Sequence, residues 1–267
     1  MKYGYVVENL VGEDKRRIYG EHLTSIQVFE RYILPEIKDK LYNYLWADLF
    51  CGEGNLILPI LNLIPPEKRE SFFLKHIILF DIQEEMVEKA VKNARSYGIP
   101  EDIARQRIVI RDTIKDYPAF ILNGEFPVFH ITNPPYLYKG YIAKQKSKRL
   151  LEYFSGDFEP YQDLYQLAMM NDLKHGIKNM IYVIPSNFLG SSKSSWVRII
   201  FLSSSSHSGF SIKACIRSAK LEILYSFIPW FIITINLKQK VLINLKQKVL
   251  KKKWKILKAN GMLYLAV

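Results

Sequence analysis

Only two cysteines, Cys51 and Cys215, occur in 267 residues. No disulfide framework can be built from such a pair, and cysteine this sparse points to a reducing, cytoplasmic setting. The five histidines show no metal-ligand spacing with the cysteines, so no metal site is expected. The opening residues Met1-Lys2-Tyr3-Gly4-Tyr5 lack the apolar stretch of a secretory signal. A long apolar run is missing too. Residues 221–237 come nearest, but they contain Glu222 and Pro229 and fall short of the ~20 residues that span a bilayer. No membrane partner is expected.

Acidic residues are almost absent from one end of the chain. Residues 1–190 carry 24 basic and 25 acidic side chains, whereas residues 191–267 carry 14 basic ones and Glu222 alone as an acid. The formal net charge of +12 therefore belongs entirely to the tail. A tail of this kind grips phosphates without reading sequence. It also holds the serine-rich runs Ser191-Ser192-Lys193-Ser194-Ser195 and Ser203-Ser204-Ser205-Ser206-His207-Ser208. The octapeptide Ile235-Asn236-Leu237-Lys238-Gln239-Lys240-Val241-Leu242 repeats at once over residues 243–250. Two short copies do not make a solenoid. Such a tail is either a divergent recognition region or the product of a disrupted reading frame.

Two common nucleotide signatures are lacking as well. Cys51-Gly52-Glu53-Gly54-Asn55 has neither the third glycine of a dinucleotide fingerprint nor the Gly-Lys-Ser/Thr of a phosphate loop. What it has is position. The preceding Tyr44-Leu45-Trp46-Ala47-Asp48-Leu49-Phe50 reads as a strand, and the following Leu56-Ile57-Leu58-Pro59-Ile60-Leu61 as the start of a helix. Strand, Gly-x-Gly turn, helix lets backbone approach a ligand closely. Cys51 in this turn is read as a small packing residue.

Three more apolar runs end in polar residues. Ile77-Ile78-Leu79-Phe80 runs into Asp81, where a carboxylate can accept from ribose hydroxyls. Ile108-Val109-Ile110 runs into Arg111-Asp112-Thr113. Val128-Phe129-His130-Ile131-Thr132 runs into Asn133-Pro134-Pro135-Tyr136. Paired prolines continue neither a ladder nor a helix, so they give that strand a rigid end. Asn133 and the Pro134 carbonyl offer acceptors there, with the flat face of Tyr136 beside them. That set suits an amino group carried on a planar base or amide.

These residues resemble the Rossmann-like S-adenosylmethionine-dependent amino-methyltransferases, in particular the adenine-specific DNA methyltransferases of restriction–modification systems. Asp48 to Gly54 resembles that family's Asp-x-Phe/Cys-x-Gly-x-Gly cofactor loop. Asn133-Pro134-Pro135-Tyr136 resembles its catalytic Asn/Asp-Pro-Pro-Tyr/Phe motif. Tyr19-Gly20-Glu21-His22-Leu23-Thr24-Ser25 resembles the segment that closes over the cofactor's methionine end, residues 157–170 the helix after the catalytic motif, and residues 181–188 the fifth strand and its turn. The resemblance covers about residues 15–190 and stops where two more strands and a target-recognition region are due.

The resemblance implies S-adenosyl-L-methionine as cofactor, held by Thr24, Asp48, Phe50, Gly52, Gly54, Asn55, Asp81 on the ribose and Asp112 on the adenine amino group. It implies catalysis by Asn133, Pro134, Pro135 and Tyr136: Asn133 and the Pro134 carbonyl accept from the target N6 amine, and Tyr136 stacks on a base flipped out of double-stranded DNA. A restriction endonuclease or separate specificity subunit is an implied partner. The same motif also serves RNA bases and protein glutamine amides, and a catalytically inactive remnant is a third reading.

The organisation expected is a helical lead-in over residues 1–40, with Ile26, Phe29, Ile33 and Ile37 at helical spacing and Pro35 interrupting its last turn. A Rossmann-like α/β domain with a mostly parallel sheet follows over 41–190, including a helix over 84–97 with Met86, Ala90 and Val91 on one face. The atypical basic tail takes 191–267. Lys139, Lys144, Lys146, Lys148 and Arg149 follow the catalytic motif. They read as a solvated loop, or as contacts to DNA phosphates.

Overall fold

The computed structural model describes residues 24–185, Lys213–Cys215 and Trp230–Asn236. Seven strands form one sheet: β1 (Leu45–Asp48), β2 (Ile77–Asp81), β3 (Ile108–Ile110), β4 (Val128–Thr132), β5 (Asn179–Pro185), β6 (Lys213–Cys215) and β7 (Trp230–Asn236). Their order across the sheet is β3-β2-β1-β4-β5-β7-β6. The first five are parallel, while β7 lies antiparallel to both β5 and β6. Strands β1, β2 and β4 are buried along their whole length, which is why they read as unbroken apolar runs rather than alternating ones.

Alternate residues divide the core in two. Ala47, Phe80, Val128 and Tyr182 face one layer, with α4 (Leu164–His175) packed on it. Trp46, Leu79, Phe129, Ile131 and Val183 face the other, which holds Phe29, Ile33 and Ile37 of the lead-in. It is completed by α1 (Arg69–His76), α2 (Glu84–Ser96) and α3 (Glu101–Arg107). Met86, Ala90 and Val91 of α2 are all buried, as the helical spacing predicts.

Four local expectations are corrected. The lead-in is not one regular helix: Ile26–Val28 leads into a π-helical turn, Phe29–Ile33, and then Leu34–Ile37. Pro35 explains this, since it has no N–H for the Arg31 carbonyl and its ring crowds that group; Ile26 is exposed. After the glycine turn comes a 3-10 helix, Leu58–Leu63, rather than an α-helix. Pro59 removes the N–H that would reach Asn55, and Pro65 and Pro66 follow. The helix expected from residue 157 begins at Leu164, because Gly156–Phe158 forms a separate 3-10 turn and Pro160 intervenes. Residues 139–149 are not a plain loop; they form two short helices, Lys139–Lys144 and Lys148–Leu151.

Residues 1–23 of the expected lead-in, among them residues 19–23 of the implied cofactor-closing segment, residues 186–188, the serine runs and all but the first two residues of the repeat lie outside the described residues. From the basic tail, β6 and β7 join the sheet beyond β5. No helix among the described residues is long and apolar enough to cross a membrane, and the part of the apolar run that is described, Trp230–Asn236, is a strand.

Candidate active site

The sheet order reverses direction between β1 and β4, and in open α/β sheets the crevice at the carboxyl ends of two such strands receives ligands. Asp48 ends β1 and Asn133 directly follows β4. The two motifs read from the sequence therefore flank one crevice.

The glycine turn is tied down from several sides. The Cys51 N–H donates to the Phe80 carbonyl (2.8 Å), and the Gly52 N–H to Asp81 Oδ2 (2.8 Å). Gly52 and Gly54 have φ of 52° and 82°, a left-handed region in which side-chain-bearing residues are strained. A Cβ on Gly54 would also stand 2.6 Å from Leu58 Cδ1. Asp81 thus closes the loop through one oxygen, while its other oxygen accepts from the Gln83 N–H (2.9 Å). Burial pushes the Cys51 thiol well above its ordinary value, with Asp81 and Asp48 adding to the effect. Such a thiol packs rather than attacks.

Asp48 is only 1% exposed. Both of its donors, the Thr132 hydroxyl (2.6 Å) and the Phe50 N–H (3.0 Å), go to the same oxygen, Oδ1. Oδ2 has no hydrogen-bond donor among the described residues. Burial accordingly raises this carboxyl to about 6, against the opposing pull of the two hydrogen bonds. A buried carboxylate oxygen without a donor, beside a glycine turn, fits the ammonium end of an amino-acid-bearing cofactor such as S-adenosylmethionine.

On the other wall, the Asn133 side-chain nitrogen donates to Thr24 Oγ1 (2.8 Å), and Asn55 Nδ2 donates to the Thr24 carbonyl (3.0 Å). One lead-in residue thereby joins the glycine turn to the Asn-Pro-Pro-Tyr motif. The Tyr136 hydroxyl is turned inward, toward Asn133 Oδ1 and the Val183 carbonyl, and its ring meets Tyr165 edge-on at 5.9 Å. Burial, with Asp163 and Tyr165 nearby, holds its hydroxyl protonated far above the usual range. Pro134 is buried and Pro135 half-buried. Asp112 sits past β3, where its Oδ2 accepts from the Tyr153 hydroxyl (2.6 Å) and its Oδ1 from the Lys115 N–H (3.2 Å).

Residues that the sequence did not single out hold this arrangement. Asp163 Oδ1 accepts from the Leu137 N–H (2.9 Å), fixing the backbone just past Tyr136, and burial raises its carboxyl to about 7. Thr113 donates to the Leu49 carbonyl (2.8 Å). His130 and Asp172 pair at 2.5 Å beneath the glycine turn. Their signal was present as polar residues inside apolar runs. Of the basic group, Lys139 is occupied by the Glu159 carbonyl (3.0 Å) and the Phe154 ring, while Lys144, Lys146, Lys148 and Arg149 are exposed. Among the described residues no group of three or more His, Cys, Asp or Glu is arranged to hold a metal ion.

No protein-family profile matches the chain, and no curated protein matches it in sequence. Solved structures do match in fold. A type IIL restriction–modification enzyme, MmeI, in complex with DNA shares 16% identity at a TM-score of 0.52, over 85% of this chain and 38% of that one. The methyltransferase subunit of a type I restriction–modification system from Streptococcus thermophilus shares 18% at 0.49, over 82% and 45%. A proposed class I S-adenosylmethionine-dependent methyltransferase from Listeria monocytogenes shares 15% at 0.46, over 78% and 58%. The chain thus spans less than two thirds of the length of each. Its fold is Rossmann-like α/β, a mostly parallel sheet flanked by helices, shared with the MmeI structure.

Proposed function

We propose that this chain is the catalytic part of an amino-methyltransferase that modifies N6 of adenine in DNA, in a restriction–modification setting. The observation that carries the reading is the bridge at Thr24, which sets the Asn133 amide beside the glycine turn, on which Asp48 presents a buried oxygen with no donor among the described residues.

Asp48 would hold the ammonium of S-adenosylmethionine, the backbone around Gly52 and Gly54 its methionine portion, and Asp81 and Asp112 its ribose and adenine. Thr24, Phe50 and Asn55 line the same turn. The cofactor supplies an electrophilic methyl group. Asn133 Oδ1 and the Pro134 carbonyl would accept from the target NH2, which withdraws the nitrogen lone pair from conjugation and aims it into the crevice. No strong base is needed, so the protein contributes chiefly position and fixed dipoles. Pro135 stiffens the loop.

The Tyr136 hydroxyl now faces the Asn133 oxygen that the amine requires. On this reading a flipped base displaces the hydroxyl and stacks on the ring. Lys144, Lys146, Lys148 and Arg149, next along the chain, would meet backbone phosphates, which position a duplex without reading it. Base reading would rest with the tail or with a separate specificity subunit. MmeI, of which the chain matches 38%, is solved with DNA bound; that likeness supports the fold and leaves the substrate to experiment. Incubation with labelled S-adenosylmethionine and DNA, RNA or protein in parallel tests the reading. Label in DNA adenine is the expected result, and label in RNA or in glutamine amides would replace it with those substrates.

A further inference from the structure

The ladder between β1 and β4 ends at the pair Ala47 and His130. Beyond that point, side chains of β4 continue to hold the departing β1 chain. Thr132 donates to Asp48 (2.6 Å), and the Leu49 N–H donates to His130 Nε2 (3.1 Å). The Leu49 carbonyl is taken by Thr113. Both backbone groups of Leu49, which is 3% exposed, therefore depend on side chains from elsewhere in the fold.

The state of His130 follows from its other nitrogen. Asp172 on α4 is 0% exposed, and its carboxylate collects three donors: the Tyr117 hydroxyl (2.9 Å), the Tyr182 hydroxyl (2.5 Å) and His130 Nδ1 (2.5 Å). An ionised carboxylate only accepts. Nδ1 must then carry the proton, which leaves Nε2 bare to accept from Leu49. A buried ionic group is a poor way to fill space, because apolar side chains of the same volume do as well or better for stability. Apolar side chains cannot, however, present an acceptor to the Leu49 amide.

We infer that Asp172 and His130 are a positioning pair, which sets the imidazole tautomer so that the catalytic strand grips the first turn of the cofactor loop. The assignment rests on the proposed function of that loop. Neither residue touches the crevice; they act through Leu49 and so through the adjoining Asp48. The arrangement keeps the cofactor loop in step with Asn133, since both are anchored to the last residues of β4.

The test compares two isosteric changes. His130→Gln puts an amide oxygen near the place of Nε2 and keeps the acceptor for Leu49. His130→Asn keeps a donor toward Asp172 and withdraws the acceptor. Calorimetric titration with S-adenosylmethionine should give a dissociation constant within about threefold of wild type for Gln, and at least about tenfold weaker for Asn. Equal losses in both, following their melting temperatures, would overturn the inference. Nitrogen-15 spectra of the wild type read the tautomer without any variant: bare Nε2 and protonated Nδ1 are expected, and the opposite assignment overturns the pair's role. If the wild type binds no S-adenosylmethionine, the proposed function fails, and the Leu49 amide still decides the pair. Slow hydrogen exchange in wild type and His130→Gln with fast exchange in His130→Asn upholds it; equal rates in the two variants reject it.

Discussion

Thr24 Oγ1 accepts a hydrogen bond of 2.8 Å from the side-chain nitrogen of Asn133, 109 residues further along the chain. The contact fixes which end of the Asn133 amide faces Tyr136, and so where its oxygen points. Asn133→Ala should therefore abolish the acceptor while leaving the glycine turn in place. One such transition-state hydrogen bond in a water-poor site is worth roughly 3–4 kcal/mol, a loss of about 10²–10³ in turnover. Single-turnover rates should fall by that factor with cofactor affinity within a few-fold of wild type. A variant that stays nearly as fast as wild type removes Asn133 from the chemistry.

Asp48→Asn separates stability from binding. Asn keeps an Oδ1 for Thr132 and Phe50 and discards a buried charge. Burial raises the folded-state value from 3.8 to about 6. For an acid raised in this way, the stability associated with its neutral form is fully present below 3.8 and lost as pH climbs through 6. The shift amounts to roughly 3 kcal/mol. The Asn variant should melt above wild type at pH 7, with the gap closing toward pH 4, yet bind S-adenosylmethionine more weakly. Wild-type affinity should itself fall by about tenfold per pH unit below 6, as the carboxylate is neutralised. An Asn variant that melts lower and binds normally contradicts both parts.

Tyr136 offers a hydroxyl and a ring with different roles. Tyr136→Phe removes the hydroxyl that faces Asn133 Oδ1 and keeps the stacking face, so its catalytic rate should stay within a few-fold of wild type. Tyr136→Ala loses the face; base stacking is worth about 1–3 kcal/mol, so the DNA KM should rise by about 5–150-fold. Equal defects in the two variants would show that the hydroxyl, not the ring, is what the substrate needs.

Replacing Lys144, Lys146, Lys148 and Arg149 with alanine should weaken DNA binding evenly across sequences. The slope of log affinity against log salt should drop by roughly one for each phosphate that is no longer neutralised. Lys139→Ala should matter less, because its ammonium is engaged by Glu159 and Phe154. An unchanged slope in the fourfold variant places the phosphate-binding groups elsewhere.

Strands β1, β2 and β4 were legible because a strand buried on both faces has no choice but to be apolar, and the polar residues at their ends, Asp48, Asp81 and Asn133, stand out. β3 is only partly buried, and Asp112 lies past its end. The 3-10 helix after the glycine turn was hidden, because an apolar run dominates the pattern there and a single proline, Pro59, decides the geometry. The Thr24–Asn133, Leu49–His130 and His130–Asp172 contacts were not legible. They join residues 109, 81 and 42 positions apart, and nothing local in the sequence marks a histidine inside a strand as the partner of a distant backbone amide. The two strands of the basic tail were equally hidden, since the tail's composition masks the short stretches that pair beyond β5.

The central claim is methyl transfer to adenine N6 by the crevice between Asp48 and Asn133. The most direct measurement incubates the purified chain with labelled S-adenosylmethionine and duplex or single-stranded DNA at low and physiological salt, then digests the DNA to nucleosides. The account predicts N6-methyladenine at low salt, more in single strands, where no base need be unpaired. It predicts that product forms about 10²–10³-fold more slowly with Asn133→Ala, and that duplex methylation fades steeply with salt, without preference for one sequence. No N6-methyladenine in any DNA from a chain that binds the cofactor, or formation with Asn133→Ala at nearly the wild-type rate, contradicts the claim. Strong methylation of one defined duplex sequence at physiological salt would instead show that the tail reads DNA by itself.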